Sequence, residues 1–124
     1  MLIAFANNLT LVAIGTGVAT TVFTDPVPLG NNDRLTAMLN VHSLVKTAGT
    51  GTLTYTAQLS NDGGQNYVDS TTVTESTTAM GILQKVGAVN GALVRFKYGF
   101  IITGGAAGDV ASVCFDLHVN LDHV

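Results

Sequence analysis

The sequence predicts an all-β protein, folded as an antiparallel β-sandwich of about eight strands. Apolar and polar residues alternate with a period of two in several segments, and no segment keeps a helical period. Turn residues such as Gly, Asn and Asp recur at intervals of roughly ten residues, which is typical of jelly-roll or immunoglobulin-like sandwiches. The many threonines agree with this fold class, because a β-branched side chain loses little freedom in a strand.

The clearest alternation occurs in segments that we predict to be strands sharing one core. In the last of them, Phe115 and Leu117 alternate with Asp116 and His118, so that one face is apolar and the other faces water. These segments cover residues 35–42, 53–59, 93–102 and 113–122, and Arg95 and Lys97 lie on the polar side of the third.

Weaker patterns predict further strands between these segments. The presence of Gly81 within one of them indicates a bend or a bulge. Residues 70–78 are rich in Ser and Thr, which fits an exposed loop or a ragged edge strand. The weaker strands are predicted at residues 9–14, 18–24, 67–74 and 80–86.

Length and composition limit the class of protein. The chain has 124 residues, which suits a single domain over residues 1–124. It is 47% hydrophobic and only 10% charged, which excludes a disordered protein. The net charge is -3 with five Lys plus Arg, so we expect no binding to nucleic acid or to an anionic membrane. The apolar run at residues 2–5 is too short for a secretory signal or a membrane span, which predicts a soluble protein made in the cytoplasm.

Cysteine and histidine give few options for a metal site. Cys114 is the only cysteine, which excludes a disulfide within the chain and a zinc site built on cysteines. Ligands at alternate positions of a strand stand roughly 6 to 7 Å apart, too far to share an ion without a third ligand from another strand. We therefore predict no metal and no other cofactor, and a solvated polar strand face instead. The candidate ligands are His42, His118, His123, Asp116 and Asp122.

Residues for catalysis are also sparse. The sequence has no GxSxG nucleophile motif, no phosphate-binding loop and no dinucleotide-binding fingerprint. Asp residues beside turns usually bond to their own backbone. The prediction is a protein that is not an enzyme, with a small hydrolase that uses paired carboxylates as the alternative. The candidate carboxylates are Glu75 and, beside turns, Asp25, Asp33, Asp62, Asp69 and Asp109.

The most informative local motif is the turn at residues 60–67, with the sequence SNDGGQNY. It resembles the Asp-box, Ser-x-Asp-x-Gly-x-Thr-Trp, a β-hairpin turn found in sialidases and in many unrelated β proteins. Ser60, Asp62 and Gly64 match, whereas Asn66 takes the Thr position and Tyr67 the Trp position. A short Asp side chain accepts hydrogen bonds from turn N–H groups, while the aromatic residue folds over the hairpin. The resemblance implies a structural turn rather than an active site.

A wider segment, residues 35–73, combines an alternating strand, a Gly/Thr turn at residues 48–52, a second strand and then Asn-Asp-Gly-Gly followed by an aromatic residue. This pattern is similar to that of small β-sandwich virion proteins of tailed bacteriophages, especially head decoration (cement) proteins. The resemblance implies a structural protein that binds the major capsid protein on the outside of an assembled head and stabilises it. It also implies a homo-oligomer, with a trimer favoured, made in the host cytoplasm and located on the capsid exterior.

Residues 1–14 and the C-terminal strand are the predicted contact surfaces, with ordinary edge or core strands as the alternative. A receptor- or carbohydrate-binding module of a phage tail or a cell-surface protein is the second candidate function. Sugar sites use exposed aromatic rings, and Tyr67 is the only tyrosine predicted off an apolar face. A self-assembling coat is a further alternative, but a coat that encloses a genome needs more basic residues than this chain has.

Overall fold

A computed structural model describes all 124 residues and consists of nine strands without a helix. The strands pair into a four-stranded and a five-stranded antiparallel sheet, which confirms the predicted all-β sandwich. No helix is present with the length and apolarity needed to cross a bilayer. The strands are β1 (Leu2–Ile14), β2 (Thr20–Phe23), β3 (Val27–Pro28), β4 (Arg34–Lys46), β5 (Thr50–Ser60), β6 (Val68–Thr77), β7 (Gly81–Ala88), β8 (Leu93–Thr103) and β9 (Val110–Asp122).

The strand order is that of a jelly roll. The four-stranded sheet runs β1-β9-β4-β7, and the five-stranded sheet runs β2-β8-β5-β6 with β3 also paired to β8. The chain is thus one long antiparallel ribbon folded on itself, in which β1 pairs with β9, β2 and β3 with β8, β4 with β7, and β5 with β6. Because β2 and β3 both pair with β8, they are two parts of one interrupted strand. Counted in this way, the number of strands is eight, as predicted.

The core lies between the two sheets and contains 24 buried apolar residues. The predicted alternation is what builds it, because the inward residues of β9 and β8 are buried and the residues between them are not. Aromatic rings join the sheets: Tyr98 of β8 meets Phe115 of β9 edge-on, with ring centroids 5.0 Å apart. The ring centroid of Phe5 in β1 lies 4.8 Å from that of Phe96 in β8. These contacts fix how the sheets stack and therefore which residues face outward.

The largest differences between the predicted and observed strands concern β1 and β3. β1 begins at Leu2, seven positions before the predicted start at residue 9, because a bulge near Asn7 and Asn8 breaks its alternation. Asn8 has a positive φ of 50°, which Asn tolerates better than most residues. β3 was not predicted, since a two-residue strand containing Pro28 has no period to detect. Most of the Ser/Thr-rich segment at residues 70–78 lies in β6, which is an edge strand. An edge strand is one of the two structures predicted for this segment.

Candidate functional site

The outer face of the four-stranded sheet, here called the four-stranded face, carries most of the exposed apolar side chains of the protein. Its residues alternate with the buried ones along β1, β4, β7 and β9, so they all point away from the core. The exposed apolar residues on this face are Leu2, Val12, Ile14, Met38, Val45, Ile82, Val86 and Val110. Both predicted contact surfaces contribute to it, because β1 and β9 lie side by side. The inward halves of the same two strands belong to the core.

Most of these apolar side chains lie towards the two ends of this face, whereas Ile82 stands beside Asn40 near its middle. At one end, Val12, Ile14, Val45 and Val110 occupy neighbouring positions in the register of β1, β9 and β4, and we call them the valine patch. At the other end, Leu2 and Met38 help to line a depression of about 340 Å³ together with Thr36, His118 and Asn120. A soluble monomer rarely exposes large contiguous apolar surface, so this face is a candidate docking surface.

Polar residues separate the two apolar ends. Asp116 of β9 accepts a hydrogen bond from the backbone N–H of Asn8 and lies 2.8 Å from Nε2 of His42. The Asn8 N–H and the neighbouring His42 hold the pKa of Asp116 below its usual value. His123 instead lies 3.5 Å from Asp33, at the chain end. His42 and His123 therefore pair with different carboxylates, while His118 lies on the same face of β9 as Asp116.

The outer face of the five-stranded sheet, here called the five-stranded face, is polar. Hydroxyl side chains pair across β5 and β6, with Thr54 2.8 Å from Ser76 and Thr56 2.9 Å from Thr74. Further along the same strands lies Gln58, which is almost fully buried although it is on the outer side. This face offers hydrogen-bonding groups where the opposite sheet offers apolar ones.

The turn at residues 60–67 joins β5 to β6 and is built from side-chain hydrogen bonds. Ser60 Oγ accepts from the backbone N–H of Gly64 at 3.0 Å and donates to Asp62 at 2.8 Å. Asp62 also accepts from the backbone N–H of Asn66 at 2.9 Å and from its amide at 2.7 Å. Gly64 has φ +89°, a conformation that disfavours any side chain. The residues proposed from the Asp-box resemblance thus lie in one hydrogen-bonded turn, and Asp62 organises it.

Tyr67 follows this turn and lies against an arginine. Its ring centroid is 3.7 Å from the guanidinium carbon of Arg95 in β8, and its hydroxyl lies 3.2 Å from the point where a Cβ on Gly64 would stand. The ring is therefore partly enclosed by the protein itself. Tyr55 and Tyr98 are buried, as their positions on apolar faces predicted.

The Asp62 carboxylate makes the turn sensitive to acid. Its pKa is lowered to about 2, first by the backbone N–H of Asn66 and then by side-chain hydrogen bonds from Asn66 and Ser60. An unfolded chain has an Asp pKa of about 3.9. Ionised Asp62 therefore stabilises the fold above about pH 4, and this contribution is lost as the pH falls towards about 2. We expect Asp62→Asn to lower the thermal midpoint at neutral pH and to flatten the loss of stability between about pH 4 and about pH 2.

The matched control for this prediction is Asp25→Asn, since the carboxylate of Asp25 accepts no hydrogen bond in the structure. Thermal unfolding followed by circular dichroism across the acid range compares the two variants with the wild-type protein. A midpoint profile for Asp62→Asn that runs parallel to that of the wild type would show that the turn does not depend on this carboxylate.

No protein-family model matches this sequence, and no curated protein matches it. Solved structures with a similar fold include the VP2 subviral particle of infectious bursal disease virus, at TM-score 0.59 and 11% identity over 99% of this chain and 32% of that one. A chain from the Gx strain of the same virus gives TM-score 0.57 and 12% identity over 96% and 30%. The xylan-binding module CBM15 superposes less closely, at TM-score 0.44 and 19% identity over 97% and 82%. This chain spans about a third of the viral chains, and the likeness to them shows the fold.

Sequence reasoning did not find the surroundings of Arg95. The pattern placed Arg95 and Lys97 together on the wet side of one strand, which the structure confirms. It gave no sign that Phe23 of β2 lies near Arg95, with its ring centroid 4.5 Å from the guanidinium carbon. That contact depends on the pairing of β2 with β8, which a single sequence does not reveal.

Proposed function

We propose that this protein is a non-enzymatic structural component of a virion, and that it docks on the outside of an assembled phage head as a decoration protein. The observation that carries the proposal is the four-stranded face with its two exposed apolar ends. A similar fold in a viral particle protein agrees with a virion role. The bound surface on this account belongs to the major capsid protein, and the copies of this chain associate with one another, in threes on the favoured arrangement.

The size of the four-stranded face suits such a contact. Three of its strands have 13 residues each. At the usual rise and strand spacing the face is about 43 Å long and up to about 19 Å wide, or up to about 800 Å². Stable protein interfaces bury about 800 Å² on each partner. A partner that covers the whole face would therefore bury enough surface for specific binding.

The charges favour the outside of the shell over the genome side. Of the five basic residues, Arg34 pairs with Asp122 and Lys97 pairs with Asp69. This leaves no continuous basic surface for phosphates. Asp69 and Asp122 also differ from a general acid, which needs a raised pKa. Hydrogen bonds and neighbouring cations lower the pKa of Asp69 and Asp122 instead.

The proposal predicts that a charge placed in the valine patch weakens docking without unfolding the protein. Val45 is 62% exposed, so Val45→Glu leaves the core intact but places an unpaired charge in the contact. We expect binding to weaken at least about tenfold. The measurement is co-sedimentation with empty tailed-phage heads assembled from a major capsid protein, together with the mass of the free protein in solution.

The matched control is Val68→Glu, because Val68 is 71% exposed but lies on β6 of the opposite sheet. This variant should bind the heads like the wild-type protein. Failure of the wild-type protein to bind heads, or equal binding by both variants, would refute docking through the four-stranded face. A monomeric mass at all concentrations would refute the association between copies.

A further inference from the structure

Arg95 on the five-stranded face is held in place from three directions. Its Nε donates a hydrogen bond to the side-chain oxygen Oε1 of Gln58 at 2.8 Å. Its guanidinium carbon lies over the rings of Tyr67 and Phe23, at 3.7 and 4.5 Å from their centroids. Contacts with aromatic faces stabilise the cation without using its N–H donors. The side chain is thus ordered before any ligand arrives.

The neighbours of Arg95 leave its charge without a carboxylate partner. Gln58 donates its amide to Asp69 at 2.7 Å, and Lys97 donates to the other oxygen of Asp69 at 3.1 Å. Asp69 is therefore committed to Gln58 and Lys97, while Arg95 forms no salt bridge within the chain. The terminal nitrogens of Arg95 donate to no acceptor in the chain. A planar guanidinium with free parallel N–H groups is suited to a carboxylate, which it binds through two hydrogen bonds.

The surroundings of Arg95 indicate what carries that carboxylate. Phe23 is 49% exposed and offers a ring at one border of the site. Gly99 lies between Thr21 and Thr54 in the sheet register with open space above it, and the exposed Thr21 and the half-buried Thr54 carry hydroxyls beside that space. Apart from Phe23, this part of the face exposes no large apolar residue of the kind that forms the centre of a protein interface. Hydroxyl groups, a gap over Gly99 and an exposed ring fit a sugar better than a folded protein.

We propose that the five-stranded face binds an acidic glycan, with the carboxylate of a uronic acid on Arg95 and its sugar ring against Phe23. This site is on the opposite sheet from the proposed head contact, so a docked protein would keep it exposed. Neutral glycans lack the group that Arg95 recognises and should bind at least about tenfold more weakly.

The test is titration of the wild-type protein with oligosaccharides that contain glucuronic acid, followed by calorimetry and by chemical shifts of backbone amides. The neutral probe is the same oligosaccharide with its carboxylates reduced to alcohols, and a Glu-rich peptide serves as the protein-like competitor. We expect saturable binding of the acidic probe, with the largest shifts at residues 21–23, 54–58 and 95–99. Arg95→Gln should weaken this binding at least about tenfold. Arg95→Lys keeps the charge but loses the planar guanidinium, so its affinity should lie between those of the wild-type protein and Arg95→Gln.

The matched control is Arg34→Gln, because Arg34 is a partly exposed arginine on the other sheet that already pairs with Asp122. Binding of the acidic probe by this variant should equal that of the wild-type protein. Any of three results overturns the proposal: no binding of acidic oligosaccharides, equal binding of the reduced probe, or tighter binding of the Glu-rich peptide. Loss of head docking by Val45→Glu with unchanged glycan binding would show that the two faces act separately.

Discussion

Phe115→Asp should leave the protein unfolded at room temperature. Phe115 is fully buried between the sheets and meets Tyr98 edge-on at 5.0 Å. Loss of a buried Phe side chain alone costs about 3–5 kcal/mol. The new carboxylate would be buried without a cationic partner, which costs several kcal/mol more or forces its protonation. The total reaches the net stability of an ordinary domain, about 5–15 kcal/mol.

Asn120→Asp is the matched control for this prediction, because Asn120 lies on the same strand but is exposed on its outer side. Its side chain also accepts a hydrogen bond from the N-terminal ammonium, which a carboxylate would keep. Circular dichroism and size-exclusion chromatography should show a folded Asn120→Asp and an unfolded Phe115→Asp. A cooperative unfolding transition for Phe115→Asp within about 1 kcal/mol of the wild type would mean that β9 does not face the core as described.

The alternation along β9 made this prediction possible from the sequence. A strand with one apolar face must bury that face, so Phe115 and Leu117 were placed in the core without knowledge of their partners. The partners themselves were not predictable. The pairing of β9 with both β1 and β4 depends on contacts between residues far apart in the chain, and no local pattern records them. The bulge near Asn8 also hid the first half of β1.

The turn at residues 60–67, the site at Arg95 and the valine patch differ in how much of each the sequence reveals. The turn that contains Ser60 and Asp62 is local, and its residues stand within eight positions of one another, so its motif was visible. The site at Arg95 combines β2, β5, β8 and the residue after the turn, which meet only when the sandwich closes. The valine patch is intermediate, since Val12 and Ile14 lie on a predicted strand, whereas Val45 and Val110 lie just outside the predicted bounds and the grouping of all four depends on the register.

Gly49→Ala should destabilise the protein more than any other change from glycine to alanine in a turn. Gly49 connects β4 to β5 with φ +73°, which an alanine adopts only with strain. A Cβ at this position would lie 2.6 Å from the carbonyl oxygen of Thr103 and 2.9 Å from the backbone nitrogen of Gly105. Both are backbone atoms that cannot rotate away. Strain and overpacking together predict a loss of about 2 to 5 kcal/mol in the free energy of unfolding.

Gly63→Ala separates the two contributions. Gly63 has φ +75°, almost the same as Gly49, but a Cβ there would meet no atom within 4 Å. Urea denaturation should therefore show a loss of only about 1 to 2 kcal/mol for this variant, from the backbone conformation alone. The difference between the two variants measures how closely the turn before β5 packs on the end of β8. Equal losses would mean that the backbone of Thr103 and Gly105 does not pack against Gly49 as closely as the structure shows.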